Sequence, residues 1–174
     1  FSSYRFPFKK DRHNPERYLV KVLSATVQND ILAAEPSAFN EDTRHTAHVT
    51  FNQSGDLMFY SLCDFINDAD IRCELYMRKR QGNSWGPAVK LPESINMEGY
   101  TSTGASVGKI PGEDKEVLYF VSDRPGGKGK RDIWYSTIDP DGFGMPQNLS
   151  VNTAGNDVTP FYHSNTGTLY FSTD

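Results

Sequence analysis

The chain has 174 residues, a formal charge of −4 and many aromatics: nine Tyr, eleven Phe and two Trp. The acidic balance argues against a general nucleic-acid binder, which needs a basic face, and no apolar run approaches the roughly 20 residues of a membrane helix. Two cysteines are too few for a disulfide scaffold or a four-thiolate metal site, and Phe1-Ser2-Ser3-Tyr4 does not read as a signal peptide, so a piece of a longer or processed protein is expected.

In chain order, the window from Arg17 to Ala34 carries β-branched Val20, Val22, Thr26 and Val27, which disfavour helix. Most of it is expected to be the third strand of a repeat whose start is degenerate. Phe39-Asn40-Glu41 follows, then the strand-like run Leu57-Met58-Phe59-Tyr60. Next come Glu74-Leu75-Tyr76-Met77 and Trp85-Gly86-Pro87, the latter ending in Leu91. The order then recurs. Asn96 and Asn152 each follow the preceding Asn by 56 residues, and Asp132-Ile133-Trp134-Tyr135 lies 58 beyond Glu74. Phe143-Gly144-Met145-Pro146 lies 58 beyond Trp85, with its Leu at 149, and Val117-Leu118-Tyr119-Phe120 and Thr168-Leu169-Tyr170-Phe171 repeat the second strand.

Each unit reads as four short strands. The best copy places strand a at about 103–110, b at 116–122, c at 132–138 and d at 147–149. Pro111-Gly112, Pro125-Gly126-Gly127 and Asp139-Pro140-Asp141-Gly142 punctuate them, since Gly supplies positive φ and Pro presets φ near −65°. Strands b and c are nearly unbroken apolar runs, as expected for strands buried on both faces. Four-stranded units of this length in series predict an all-β fold, a β-propeller. The units run roughly 1–60, 61–120 and 121–174, phased from the end of strand b. Closed propellers typically have about four to eight blades, so about three blades of a larger propeller are expected, with missing blades or partner chains completing it.

Leu118 to Gly129, followed by Asp132-Ile133-Trp134-Tyr135, resembles the TolB-like, WD-repeat-like propeller repeat, and 143–149 and 151–153 match it as well. The repeats cover essentially the whole chain, but only the second unit fits closely. Tyr4 to Lys10 replaces the Asp-Arg-Pro-Gly-Gly turn in the first copy, and Cys63 to Asp70 replaces it in the next. Such propellers are common in Bacteroidetes envelope proteins, beside tetratricopeptide repeats and OmpA-like domains and in type IX secretion and gliding machinery. The resemblance implies a periplasmic or outer-membrane interaction module; a fold alone licenses no ligand.

Candidate chemistry is sparse. Arg124, Lys128, Lys130 and Arg131 could present cations to an anionic partner, or Asp123 and Arg131 could tie the b–c hairpin together while the glycines make its turn. Cys63 aligns with Asp123 and Cys73 with Arg131, which would set the two thiols opposite each other across strands b and c. Antiparallel spacing there suits a disulfide and implies an oxidising compartment. His45 and His48 are expected to be ordinary histidines, because H-x-x-H in a strand points its rings to opposite faces. Glu41, Glu98 and Asp157 fall at similar phase after the repeated Asn, and their recurrence argues for a structural role rather than glycoside hydrolysis. Tyr100, Phe65 and Phe6 are candidate aromatic anchors on the face shared by the b–c and d–a loops. The expected function is a non-catalytic binding or scaffold module of a cell-envelope complex, taking an envelope protein, a glycan or peptidoglycan, with no nucleic acid, no membrane span, no metal and no cofactor. The alternative is the propeller of a hydrolase, either a glycosidase or the gating domain of a peptidase.

Overall fold

The computed structural model describes residues 2–3, 18–28, 31–67, 70–110 and 112–174. Tyr4 to Lys10 and the candidate anchor Phe6 lie outside the described residues. All described regular structure is β, in four antiparallel sheets that follow the repeat. The first sheet holds β1 (Ser2–Ser3), β2 (Lys21–Gln28) and β3 (Ile31–Pro36) in that order. The second runs β4 (His45–Phe51), β5 (Leu57–Phe65), β6 (Ile71–Gln81), β7 (Ser84–Trp85), with β8 (Val89–Lys90) also on β6. The third repeats this with β9 (Ser102–Lys109), β10 (Glu116–Ser122), β11 (Asp132–Asp139), β12 (Gly142–Phe143) and β13 (Gln147–Asn148). The fourth has only β14 (Asp157–His163) and β15 (Thr168–Thr173). Among the described residues no helix is long and apolar enough to cross a membrane.

The expected strands of the best copy agree with β9, β10, β11 and β13 to within a residue or two. The window from Arg17 to Ala34 does not. It holds two strands, β2 and the start of β3, joined as a hairpin whose register runs from Leu23↔Pro36 to Gln28↔Ile31. β-branched content signals strand but cannot show where one strand turns back into the next.

The second strand of each complete sheet divides its side chains between two packing layers, because successive residues point to opposite faces. Met58, Tyr60 and Leu62 are buried beside Phe39, Val49 and Trp85. Phe59 points the other way, into a layer with Leu118, Phe120, Leu91 and Ile95. Val117, Tyr119 and Val121 then face Tyr162 and Leu169 of the fourth sheet. Aromatic pairs mark the layers: Phe59 meets Phe143 edge-on with centroids 6.1 Å apart, and Tyr119 stacks on Tyr162 at 6.2 Å. Burying one such ring contributes on the order of 1.5–3 kcal/mol.

The repeated asparagines have one job. Asn96 Oδ1 accepts the Leu75 N–H at 2.7 Å, and its Nδ2 donates to the Leu75 and Leu91 carbonyls at 2.8 and 3.0 Å. Asn152 clamps Ile133 the same way (3.0 and 2.8 Å), and Asn40 clamps Val22 (2.8 Å on both sides). A buried side-chain amide thus substitutes for a neighbouring strand, satisfying backbone groups that would otherwise be desolvated without a partner. A second repeated contact joins sheet to sheet along the first strands: Val107 N–H donates to Thr50 Oγ1 at 3.2 Å, and Tyr162 N–H to Ser106 Oγ at 2.9 Å.

Cys63 and Cys73 are register partners across β5 and β6 and form a disulfide, with Cα atoms 4.0 Å apart. The same pairing phase in the third sheet holds Asp123 and Arg131. Those two do not tie their hairpin together as an ion pair; Asp123 Oδ1 instead accepts the Thr101 N–H at 2.7 Å.

Asn96→Ala should leave the Leu75 N–H and the Leu91 carbonyl without their Asn96 partner in a buried setting, the Leu75 carbonyl keeping the Leu91 N–H, and lower stability by about 2–4 kcal/mol, each unsatisfied group costing ~1–3. A urea midpoint indistinguishable from wild type would show that the clamp is dispensable. Reducing the disulfide frees a loop with sequence separation 10. Chain entropy puts that loss near ~3 kcal/mol, a drop in Tm of about 5–10 °C, to be read from thermal melts with and without reductant.

Candidate functional site

Two sets of connections meet on one face. The b–c connection of the third sheet (123–131) lies against the d–a connection that follows it (149–156). Lys130 N–H donates to Gly155 O at 2.9 Å, and Arg131 bridges Asn156. Glycine is required here for approach: a Cβ on Gly127 would run into Asp132 Oδ2, and one on Gly129 into the Gly155 carbonyl. Asp132, buried, accepts from the Lys128 and Gly129 amides and from Asn148 Nδ2.

Arg124 is not part of a displayed cationic surface. It is buried, its guanidinium donating to the Ser94 and Ile95 carbonyls and to Ser102 Oγ, and lying over the Phe120 and Trp134 rings at 4.9 and 5.3 Å. Burial pulls its pKa down to about 10, still well above neutrality. Arg124 therefore fixes the d–a connection of the preceding sheet (91–101). Lys128, Lys130 and Arg131 are exposed, but Lys128 Nζ is turned onto Ser150 O at 2.5 Å. The structure does not bring the four cations together.

The segment that Arg124 holds lines a groove of about 650 Å³. Its walls carry Arg72 and Glu74 from β6, Lys90 from β8, and Glu93, Glu98 and Tyr100 from the connection. Lys90 Nζ pairs with Glu74 Oε1 at 2.5 Å, and this hydrogen bond raises the Lys90 pKa. A polar chain continues behind: Tyr76 Oη contacts Glu74 at 3.4 Å and accepts from Arg44 at 3.3 Å, and Arg44 is bidentate on Glu41. Arg72, Glu93 and Glu98 make no side-chain hydrogen bond or ion pair among the described residues. Tyr100 is 37% exposed. An exposed ring beside uncommitted carboxylates and a guanidinium is suited to a ligand with both an apolar face and hydroxyl groups.

Phe65 lies elsewhere, its ring edge-on to His45 at 5.2 Å. His48 is separate again. It sits on a bulge of β4 at φ 54°, near Thr103 Oγ1 at 3.3 Å, and desolvation lowers its pKa. Equivalent bulges recur at Gly104 (φ 63°) and Thr159 (φ 55°). Glu41, Glu98 and Asp157 do not share a phase: Glu41 is ion-paired, Glu98 lines the groove, and Asp157 is buried with Oδ2 accepting from Thr153 N–H and Oγ1.

Arg72, Glu74, Lys90 and Glu93 were not legible as a site, because they come from three separate segments. The repeat held one usable signal. Glu74 and Lys90 occupy the places of Asp132 and Asn148, which also bond each other (2.8 Å). Where Asp132 is capped by loop amides, Glu74 is not, and the groove opens there.

No family model and no curated protein matches the chain. Among solved structures it is similar to the crystal structure of a thermostable family-43 glycoside hydrolase, with a TM-score of 0.57 and 15% identity over 94% of this chain. The chain spans 59% of that neighbour's length. The likeness supports the β-propeller fold. It also overturns the expectation that the chain is not an enzyme. That expectation treated the fold as a binding scaffold, and the solved structure sharing it across nearly the whole chain is an enzyme's.

Proposed function

We propose that this chain is the propeller part of a glycan-hydrolysing enzyme of the cell envelope and supplies about three blades of a larger ring. The observation that carries the reading is the fold likeness to a glycoside hydrolase over 94% of the chain. The groove around Tyr100 supplies the glycan contacts: the ring for the apolar face of a sugar, and Arg72, Glu93 and Glu98 for its hydroxyls. Hydrolysis of a glycosidic bond uses two carboxyl groups about 5–9.5 Å apart, and Glu93 and Glu98 are the groove carboxylates without a partner of their own. Two features favour the envelope, and with it an envelope glycan such as peptidoglycan. One is the disulfide, which persists in oxidising compartments; the other is the TolB-like repeat.

Purified protein should bind or cleave a member of a polysaccharide panel that includes peptidoglycan sacculi. Tyr100→Ala should weaken binding about tenfold, an aromatic contact being worth roughly 1–1.5 kcal/mol. Glu93→Gln and Glu98→Gln in the full-length protein should cut turnover about a hundredfold or more, a larger loss than either causes in binding. Unchanged turnover in both variants would remove the groove from the chemistry. Absence of glycan binding and cleavage across the panel would end the reading.

A further inference from the structure

The first strands of the second, third and fourth sheets carry the same bulge. In each, two residues face one on the second strand: His48 and Val49 oppose Tyr60, Gly104 and Ala105 oppose Phe120, and Thr159 and Pro160 oppose Phe171. The leading residue is left-handed in all three, at φ 54°, 63° and 55°. Glycine takes that conformation freely and residues with a side chain resist it, so Gly104 is what the backbone by itself selects. His48 departs from that choice. Strained residues on bulges collect where a side chain has a role beyond the fold.

Stacking does not require the histidine. The sheets are joined along their first strands by Val107 N–H on Thr50 Oγ1 and by Tyr162 N–H on Ser106 Oγ. The second of these interfaces closes with Gly104 at the bulge. Thr159 keeps its hydroxyl within its own sheet, on Ser172 Oγ at 2.9 Å. Of the three, His48 is the one that reaches across, from the second sheet to Thr103 of the third.

That contact fixes the proton on one ring nitrogen. Thr103 Oγ1 donates its hydrogen to Ser61 Oγ at 3.1 Å, so toward His48 Nδ1, 3.3 Å away, it is an acceptor. Nδ1 therefore carries the hydrogen and Nε2 keeps its lone pair. Nε2 has no hydrogen-bond partner, and the side chain is exposed. Desolvation lowers the pKa of the ring with no charged group contributing, so at neutral pH the ring is uncharged. A neutral acceptor of this kind discriminates among ligands. It offers an anion nothing, and among the described residues no three His, Cys, Asp or Glu side chains gather for a metal ion. Its match is an uncharged hydroxyl donor, and the neighbouring bulge, at Gly104, presents no side chain.

We propose that His48 Nε2 accepts a sugar hydroxyl and forms a second carbohydrate subsite on the inner edge of the sheets, where β4 lies against β9 and no strand of its own sheet covers its far side. The subsite is apart from the groove at Tyr100, whose walls do not include His48. Thr103 is its positioning residue. The class of ligand rests on the glycan reading of the chain.

The test follows the His48 ring nitrogens by long-range proton–nitrogen NMR, with His48→Gly identifying the signal. The free protein should show a protonated Nδ1 and a bare Nε2. Titration with chitotetraose, cellotetraose and xylotetraose to millimolar concentration should shift Nε2 with at least one of them, and the shift should survive in Tyr100→Ala. In that background, with the groove disabled, His48→Gly should weaken calorimetric binding about tenfold, the ratio for one hydrogen bond. Its melting temperature should equal or exceed that of the parent, because glycine accepts the positive φ. Thr103→Val should mix the two tautomers and weaken binding severalfold, and Thr103→Ser should restore both; these two readouts stand even where His48→Gly does not fold. A bare Nδ1 in the free protein, or an Nε2 signal unmoved by all three sugars, overturns the proposal. Sugar binding that Tyr100→Ala then removes leaves the groove reading in place, whereas no binding at either position takes that reading down as well.

Discussion

Leu75, Ile133 and Val22 each point a backbone N–H away from the strand beside them, toward a connection that has no strand to offer. A buried donor without an acceptor costs roughly 1–3 kcal/mol, so the stacking of sheets is possible only if something reaches those groups. The side-chain amide of Asn does so because it carries a donor and an acceptor at the spacing of a peptide unit. This one constraint fixes the start of each d–a connection relative to the third strand. It thereby sets where the following sheet begins, and the first strands can then exchange their Thr50 and Ser106 hydroxyl contacts.

With the connections pinned, the face they form can vary without disturbing the sheets. The third sheet braces its preceding connection with buried Arg124 and fills its own hairpin with glycine and Asp132. The second sheet uses a disulfide at the corresponding pairing phase. Removing the Asp-Arg-Pro-Gly-Gly arrangement also removes the amides that cap the Asp132 position. Glu74 is left to find Lys90, and the groove beneath Tyr100 follows from that exchange.

Much of the scaffold was legible because periodic signals are redundant. Asn40, Asn96 and Asn152 recur at one spacing, and the runs at Leu57, Val117 and Thr168 mark the same strand three times. The alignment of Cys63 with Asp123 and Cys73 with Arg131 placed two thiols in register. Two features resisted. The hairpin between β2 and β3 hides inside a β-branched stretch with no Gly or Pro at its turn. The environment of Arg124 also resisted: a cation in a glycine-rich loop reads as displayed, and only the fold shows the Ser94 and Ile95 carbonyls and the Phe120 and Trp134 rings closing over it.

The same asymmetry explains why the repeat pointed to a non-catalytic scaffold. A residue present in every copy, such as the clamping Asn, is doing what every copy needs, which is to stack. Chemistry on a repeat architecture has to sit where one copy departs from the rest, since identical sites around a ring would not build one asymmetric pocket. Glu93, Glu98 and Tyr100 belong to such a departure: the next connection is shorter and has Val151 and Ala154 in its turn instead. Averaging the copies to find the fold therefore erases the positions at which one copy departs from the rest, and those departures, not the consensus, distinguish one face of the propeller from another.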